Sequence, residues 1–269
     1  MPPTGHTKND GVIVARVSTS IDHGLTSWSM IMPTIRINDI SMYYEVHGAG
    51  EPLVLIAGLG TDLASHSGII RLLSQKHKVL AFDNRGEGRS DKPRIRYTIE
   101  MMADDTAGLL RALSITKANV IGISMGGRIA MALALRHPEL VRTLILTSTF
   151  ARRTRSARLP LRYRIGKMTG RGASDKSAQP YHAFARQLRA ARNYDCSGDL
   201  DSISVPTLIL HGKKDNAVPY GMAEELHAGI KGSKLIAFEG GHKFCYWECE
   251  RFALVIEEFL NATKDELMR

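Results

Sequence analysis

The patterned part of the chain opens with two short segments in which apolar and polar residues alternate. TIRIND and SMYYEVHG read as two half-exposed strands joined by the Asn38-Asp39 turn. After them the rhythm changes. PLVLIAG, KVLAFD (78–83), ANVIGIS (118–124), LVRTLILTS (140–148), TLILHG (207–212) and KLIAFEG (234–240) are apolar runs of strand length, rich in Val, Ile and Leu. Such runs suit strands buried on both faces. Between them lie 64–75, 98–113, 125–136, 219–230 and 246–264, several with apolar residues at helical spacing, such as Met102, Leu109, Leu110 and Leu113. This alternation predicts an α/β fold: a mostly parallel, eight-stranded sheet with helices on both faces.

Two stretches fall outside that rhythm. Residues 1–31 are rich in Ser, Thr, Gly and His without a sustained period, and read as an irregular N-terminal extension. Residues 151–204 carry Pro160, Pro180, Gly166, Gly170 and Gly172 around two short helical patterns. A long insertion in a regular α/β chain sits at the carboxyl edge of the strands, where such sheets bind ligands. It is therefore expected to be a short helical lid, with the core formed by 32–150 and 205–269.

Composition adds little until charge is placed along the chain. The 269 residues are 43% apolar and 23% charged, an ordinary globular balance. No window is apolar enough for a membrane span, and no secretory leader pattern opens the chain, so a cytoplasmic location is expected. The net charge is +9, but residues 151–193 hold 12 Lys/Arg against the single acid Asp175. That segment alone is +11, which leaves the remainder slightly acidic. With sparse aromatic interleaving and no nucleic-acid motif, nucleic-acid binding is not expected. Three cysteines do not make a disulfide framework. Cys245 and Cys249, four apart on an expected single helix, lack the companion ligands of a metal site, so neither metal nor cofactor is expected.

The candidate chemistry centres on Gly122-Ile123-Ser124-Met125-Gly126-Gly127, between a strand and a helical pattern. A G-x-S-x-G match is weak alone and gains meaning from that strand-turn-helix setting. Gly122 and Gly126 would permit the sharp turn that holds Ser124 out at a helix N-terminus. A serine hydroxyl needs an adjacent base, itself oriented by a carboxylate. His242, after Gly240-Gly241, and Asp215, in the turn after TLILHG, both follow strands at the same sheet edge. The order Ser, Asp, His is that of this kind of α/β enzyme. His77, His137 and His211 suit packing or hydrogen bonding better. For an oxyanion, the amide of Met125 is one candidate donor, and Leu59, within the Gly58-Leu59-Gly60 loop, is the other.

With these motifs and Asp83-Asn84-Arg85-Gly86-Glu87-Gly88-Arg89-Ser90 in order, the sequence over about 33–263 resembles the α/β-hydrolase superfamily. Within it, the chain looks most like small carboxylesterases, 3-oxoadipate enol-lactonases and acyl-homoserine-lactone hydrolases. Many members carry His-Gly where this chain has Ala57-Gly58, and its insertion is shorter and more arginine-rich than is typical of such lactonases. The resemblance implies hydrolysis of a small-molecule ester or lactone. Two alternatives are cofactor-free perhydrolase or haloperoxidase chemistry at the same three residues, and a ligand-sensing protein with little turnover.

Overall fold

The structure is a computed structural model that describes residues 33–153 and 179–267. The N-terminal extension and the middle of the basic insertion, 154–178, lie outside the described residues. Eight strands form one sheet: β1 (Thr34–Ile37), β2 (Ile40–His47), β3 (Glu51–Ile56), β4 (His77–Phe82), β5 (Ala118–Ile123), β6 (Val141–Thr147), β7 (Thr207–Gly212) and β8 (Lys234–Phe238). Their order is β1-β2-β4-β3-β5-β6-β7-β8. β2 runs antiparallel to both β1 and β4, and the other pairs are parallel. The expected turn between the first two strands is present, with Asn38 in the left-handed region at φ 53°.

The apolar runs of β3 to β7 are strands buried largely on both faces because each face has its own core, whereas the edge strand β8 is only partly buried. In β3, Val54 and Ile56 join one cluster, whereas Leu53 and Leu55 join the other. The first cluster takes α2 (Ile99–Ala112) and α3 (Met125–Arg136), and the second takes α1 (Ser67–Leu73) and α7 (Cys249–Leu267). Each fully buried Leu, Ile or Val side chain contributes about 1.5–3 kcal/mol. Helix boundaries follow local chemistry: the Thr98 hydroxyl accepts from Met101 N (3.1 Å) to cap α2, and Pro138 follows the end of α3.

The described part of the insertion contains one α-helix, α4 (Tyr181–Asn193), and a 3-10 turn at Leu200–Ser202. Its stem closes between Ala151 and Cys196, where Cys196 N donates to Ala151 O (3.2 Å). The core continues through α5 (Gly221–Gly229). The expected helix over 246–264 is divided. Cys245 lies in the short α6 (Phe244–Trp247), whereas Cys249 begins α7, so the two thiols do not share one helix.

Candidate active site

Ser124 follows β5 and immediately precedes α3. Its backbone sits at φ 56°, ψ −112°, a conformation that L residues avoid and that the surrounding structure must enforce. The enforcement is visible in the flanking glycines. A Cβ on Gly122 would lie 2.4 Å from Gly126 O, and one on Gly126 would lie 2.0 Å from Ile56 O. No side chain fits at either position. Ser124 N donates to Thr147 O (2.8 Å), and the Thr149 hydroxyl donates to Ser124 O (2.7 Å), tying the turn to the end of β6.

Asp215 stands in the turn after β7, and His242 in the loop after β8. Neighbouring parallel strands end side by side, so both side chains arrive at the edge where β5 delivers Ser124. His242 Nε2 is 3.1 Å from Ser124 Oγ, and His242 Nδ1 is 2.7 Å from Asp215 Oδ2. With Nδ1–H donating to the carboxylate, Nε2 presents its lone pair to the serine hydroxyl. The Ser148 hydroxyl donates to His242 O (3.2 Å), fixing the histidine loop.

Asp215 is buried, which by itself would raise its pKa. Hydrogen bonds with His211 and His242, the charge of His242 and donation from Val218 N overcome that and hold the carboxyl well below the usual range. Ala217 N and Val218 N both donate to its Oδ1 at 2.8 Å. This carboxylate is thus ionised and pinned by contacts on both oxygens, as a group that must orient an imidazole requires.

The two segments expected to supply oxyanion donors are the start of α3 and the Gly58-Leu59-Gly60 loop. Met125 is the first residue of α3, so its amide has no acceptor one turn back within the helix. In the loop, a Cβ on Gly58 would lie 3.2 Å from Ile123 O and 3.4 Å from Ser124 Cβ. Gly58 therefore lies close beside the serine. The loop is held by the Thr61 hydroxyl donating to Gly58 O (3.0 Å) and by Asn84 Nδ2 donating to Ala57 O (3.0 Å). Gly60 takes φ 70°, which glycine alone adopts readily.

The other histidines are engaged elsewhere. His77 pairs with Glu257 and His137 with Asp104, each at 2.8 Å. His211 is closer to the chemistry than its position inside a strand suggested: its Nε2 lies 2.9 Å from Val218 O and 3.4 Å from Asp215 Oδ2. Asn84, within the Asp83–Ser90 turn motif, and Ser148 and Thr149, which carry no motif, also support the site. The only signal of the latter two in the sequence is position, just beyond the carboxyl end of β6. Among the described residues no cluster of His, Cys, Asp and Glu has the makings of a metal site.

Comparison with known proteins adds an independent line. Residues 51–167 match the family described as alpha/beta hydrolase fold, and residues 114–245 match one described as serine hydrolase (FSH1). A pimeloyl-(acyl-carrier protein) methyl ester esterase of Neisseria meningitidis is 31% identical, across 81% of this chain and 79% of that protein. An AB hydrolase superfamily protein of Bacillus subtilis, YisY, is 28% identical across 83% of this chain and 96% of its own length. Among solved structures, the enol-lactonase of Burkholderia xenovorans LB400 superposes with a TM-score of 0.77 at 26% identity. That match covers 85% of this chain and all of the enol-lactonase.

Proposed function

We propose that this chain, which belongs to the α/β-hydrolase family, is a serine hydrolase of carboxylic esters or lactones acting through Ser124, His242 and Asp215. The observation that carries the proposal is the unbroken line of contacts from Ser124 Oγ through His242 (3.1 Å) to Asp215 (2.7 Å). His242 Nε2 takes the hydroxyl proton as Ser124 Oγ attacks the substrate carbonyl carbon. The resulting oxyanion is met by the amides of Met125 and Leu59. Collapse expels the alcohol oxygen, which receives the proton back from His242, and leaves an acyl-serine. Water, activated by the same imidazole, then releases the acid. With a lactone, the expelled alcohol stays attached and the product is a hydroxy acid.

The same reading makes the insertion a lid over the core. Its support is the docking of α4 and the residues before it: Gln187 Nε2, in α4, donates to Arg85 O (2.8 Å), and Gln179 Nε2, ahead of α4, to Gly86 O (3.1 Å), both acceptors on the turn after β4. The substrate class is tested by kcat/KM for a γ-lactone and for its matched open-chain ester. Either substrate is expected to lose about 10⁴-fold or more in Ser124→Ala. A preference for the lactone makes the enzyme a lactonase, and equal or faster turnover of the open ester makes it a carboxylesterase. Peroxide-dependent bromination without ester turnover would displace the proposal.

A further inference from the structure

His211 stands one residue before the end of β7, and its side chain is fully buried. A buried imidazole needs a polar partner, and this one finds it in the turn that carries Asp215. Nε2 lies 2.9 Å from Val218 O and 3.4 Å from Asp215 Oδ2. A carbonyl can only accept, so the ring proton sits on Nε2. Nδ1 is buried and has no hydrogen-bond partner among the described residues. An unpaired buried nitrogen is costly, and a side chain that only filled this space would do so better without one. The use of the imidazole therefore lies in its Nε2–H. The Tyr220 ring packs edge-on against it, with centroids 6.0 Å apart.

The bond to Val218 O matters because of what Val218 does in turn. Val218 N and Ala217 N both donate to Asp215 Oδ1 at 2.8 Å. Val218 is thus held by the imidazole at its carbonyl and holds the carboxylate with its amide. Oδ2 is left to two imidazoles, His242 Nδ1 at 2.7 Å and His211 Nε2 at 3.4 Å. The two oxygens have different surroundings, which fixes the plane of the carboxylate. Burial alone would raise the Asp215 pKa, and the contact with His211 is foremost among those that lower it.

We infer that His211 is a positioning residue for the hydrolytic reaction: by holding Val218 O and facing Asp215 Oδ2, it keeps the carboxylate aimed at His242 Nδ1. The inference rests on the proposed roles of Ser124, His242 and Asp215. Because His211 acts through Asp215, its loss falls on kcat and leaves KM nearly unchanged.

Full-length His211→Gln and His211→Met provide the test. Their side chains are alike in length, and only the amide of the first can donate in place of Nε2–H. With p-nitrophenyl acetate, His211→Met is expected to lower kcat about 10–100-fold with KM within about twofold of wild type, and His211→Gln to stay within about threefold on both. A histidine that merely filled space would be replaced at least as well by methionine. The second readout is the downfield proton resonance of His242 Nδ1–H, identified by its absence from His242→Gln. It should persist in His211→Gln and be lost or shifted upfield in His211→Met. Because it needs no substrate, it judges this inference even if Ser124→Ala kept full activity, the result that would overturn the hydrolase proposal. Should His211→Met not fold, His211→Asn, whose amide is one carbon too short to reach Val218 O, takes its place. An unchanged kcat or resonance in the donor-deficient variant, or an equal loss in His211→Gln, would overturn the inference.

Discussion

Among the described residues two arginines, Arg85 and Arg128, are buried almost completely, and their surroundings differ in kind. Arg85, in the turn after β4, grips two carboxylates: Asp105 through Nε (2.7 Å) and Nη2 (2.9 Å), and Asp39 through Nη2 (2.6 Å) and Nη1 (3.1 Å). Burial opposes its charge, but these bonds hold it more firmly protonated than an ordinary arginine. Arg128, in α3, has no carboxylate partner among the described residues. Its guanidinium donates to the carbonyls of Phe150 (2.9 Å), Arg152 (3.2 Å) and Tyr194 and stacks over the Phe150 ring at 4.1 Å, and burial pushes it down to about 10. One cation is neutralised by charge, whereas the other is solvated by dipoles. The first cross-links parts of the core, namely the β1–β2 turn, α2 and the loop under α4. The second gathers both stems of the insertion onto the helix that begins at the serine, so the seating of α4 depends on it.

That contrast can be broken by mutation, beginning with the charged network. Arg85→Met would leave Asp105, whose side chain is 2% exposed, without a cation and with only the Asn38 amide (3.0 Å) as donor, and is expected to destabilise by about 3–5 kcal/mol in denaturant titration. A loss below 1 kcal/mol would mean that the network is solvated after all. Arg128→Met strands only neutral carbonyls, at about 1–3 kcal/mol for the buried acceptors, and releases the cost of burying a cation. Its expected loss is about 1–2 kcal/mol by the same titration, smaller than that of Arg85→Met, with greater protease sensitivity in the insertion. The reverse order of the two losses would contradict the distinction between charge and dipole partners.

Asp39→Asn probes the exposed end of the first network. The Arg85 bonds outweigh desolvation and lower the Asp39 pKa, so its contribution is complete above the ordinary carboxylate pKa and fades as pH falls through the depressed folded value. With its side chain 54% exposed, solvent screening limits the effect to about 1 kcal/mol or less at pH 7. Wild type and Asp39→Asn are therefore expected to differ measurably in stability at pH 7 and to converge as pH is lowered towards 3. Divergence on acidification would reverse the sign assigned here.

These two regions also mark how much was legible in the sequence. Alternation in β1 and β2 and the apolar runs of β3 to β8 identified every strand, because a sheet covered on both faces demands such runs. Ser124, Asp215 and His242 were legible because their setting is imposed by backbone geometry: Gly122 and Gly126 have no room for a Cβ, and the other two residues follow strand ends. Arg85 was legible as part of a turn motif, but its partners Asp39 and Asp105 were not, since they lie 46 and 20 residues away. Arg128 gave no signal at all. Carbonyl acceptors belong to every residue, so no residue type announces them. The split between α6 and α7 escaped notice for a related reason, because apolar spacing runs on through the break at Glu248.

The central claim is that Ser124 is the nucleophile and that its reactivity depends on His242. Rapid mixing of the protein with p-nitrophenyl acetate, followed by acid quench and peptide mass spectrometry, tests it directly. The account predicts a burst of nitrophenol matched to the enzyme concentration and an acetyl group on the peptide containing Ser124, both lost in Ser124→Ala and strongly slowed in His242→Ala. An acetyl group on another residue, or a burst that survives Ser124→Ala, would contradict it.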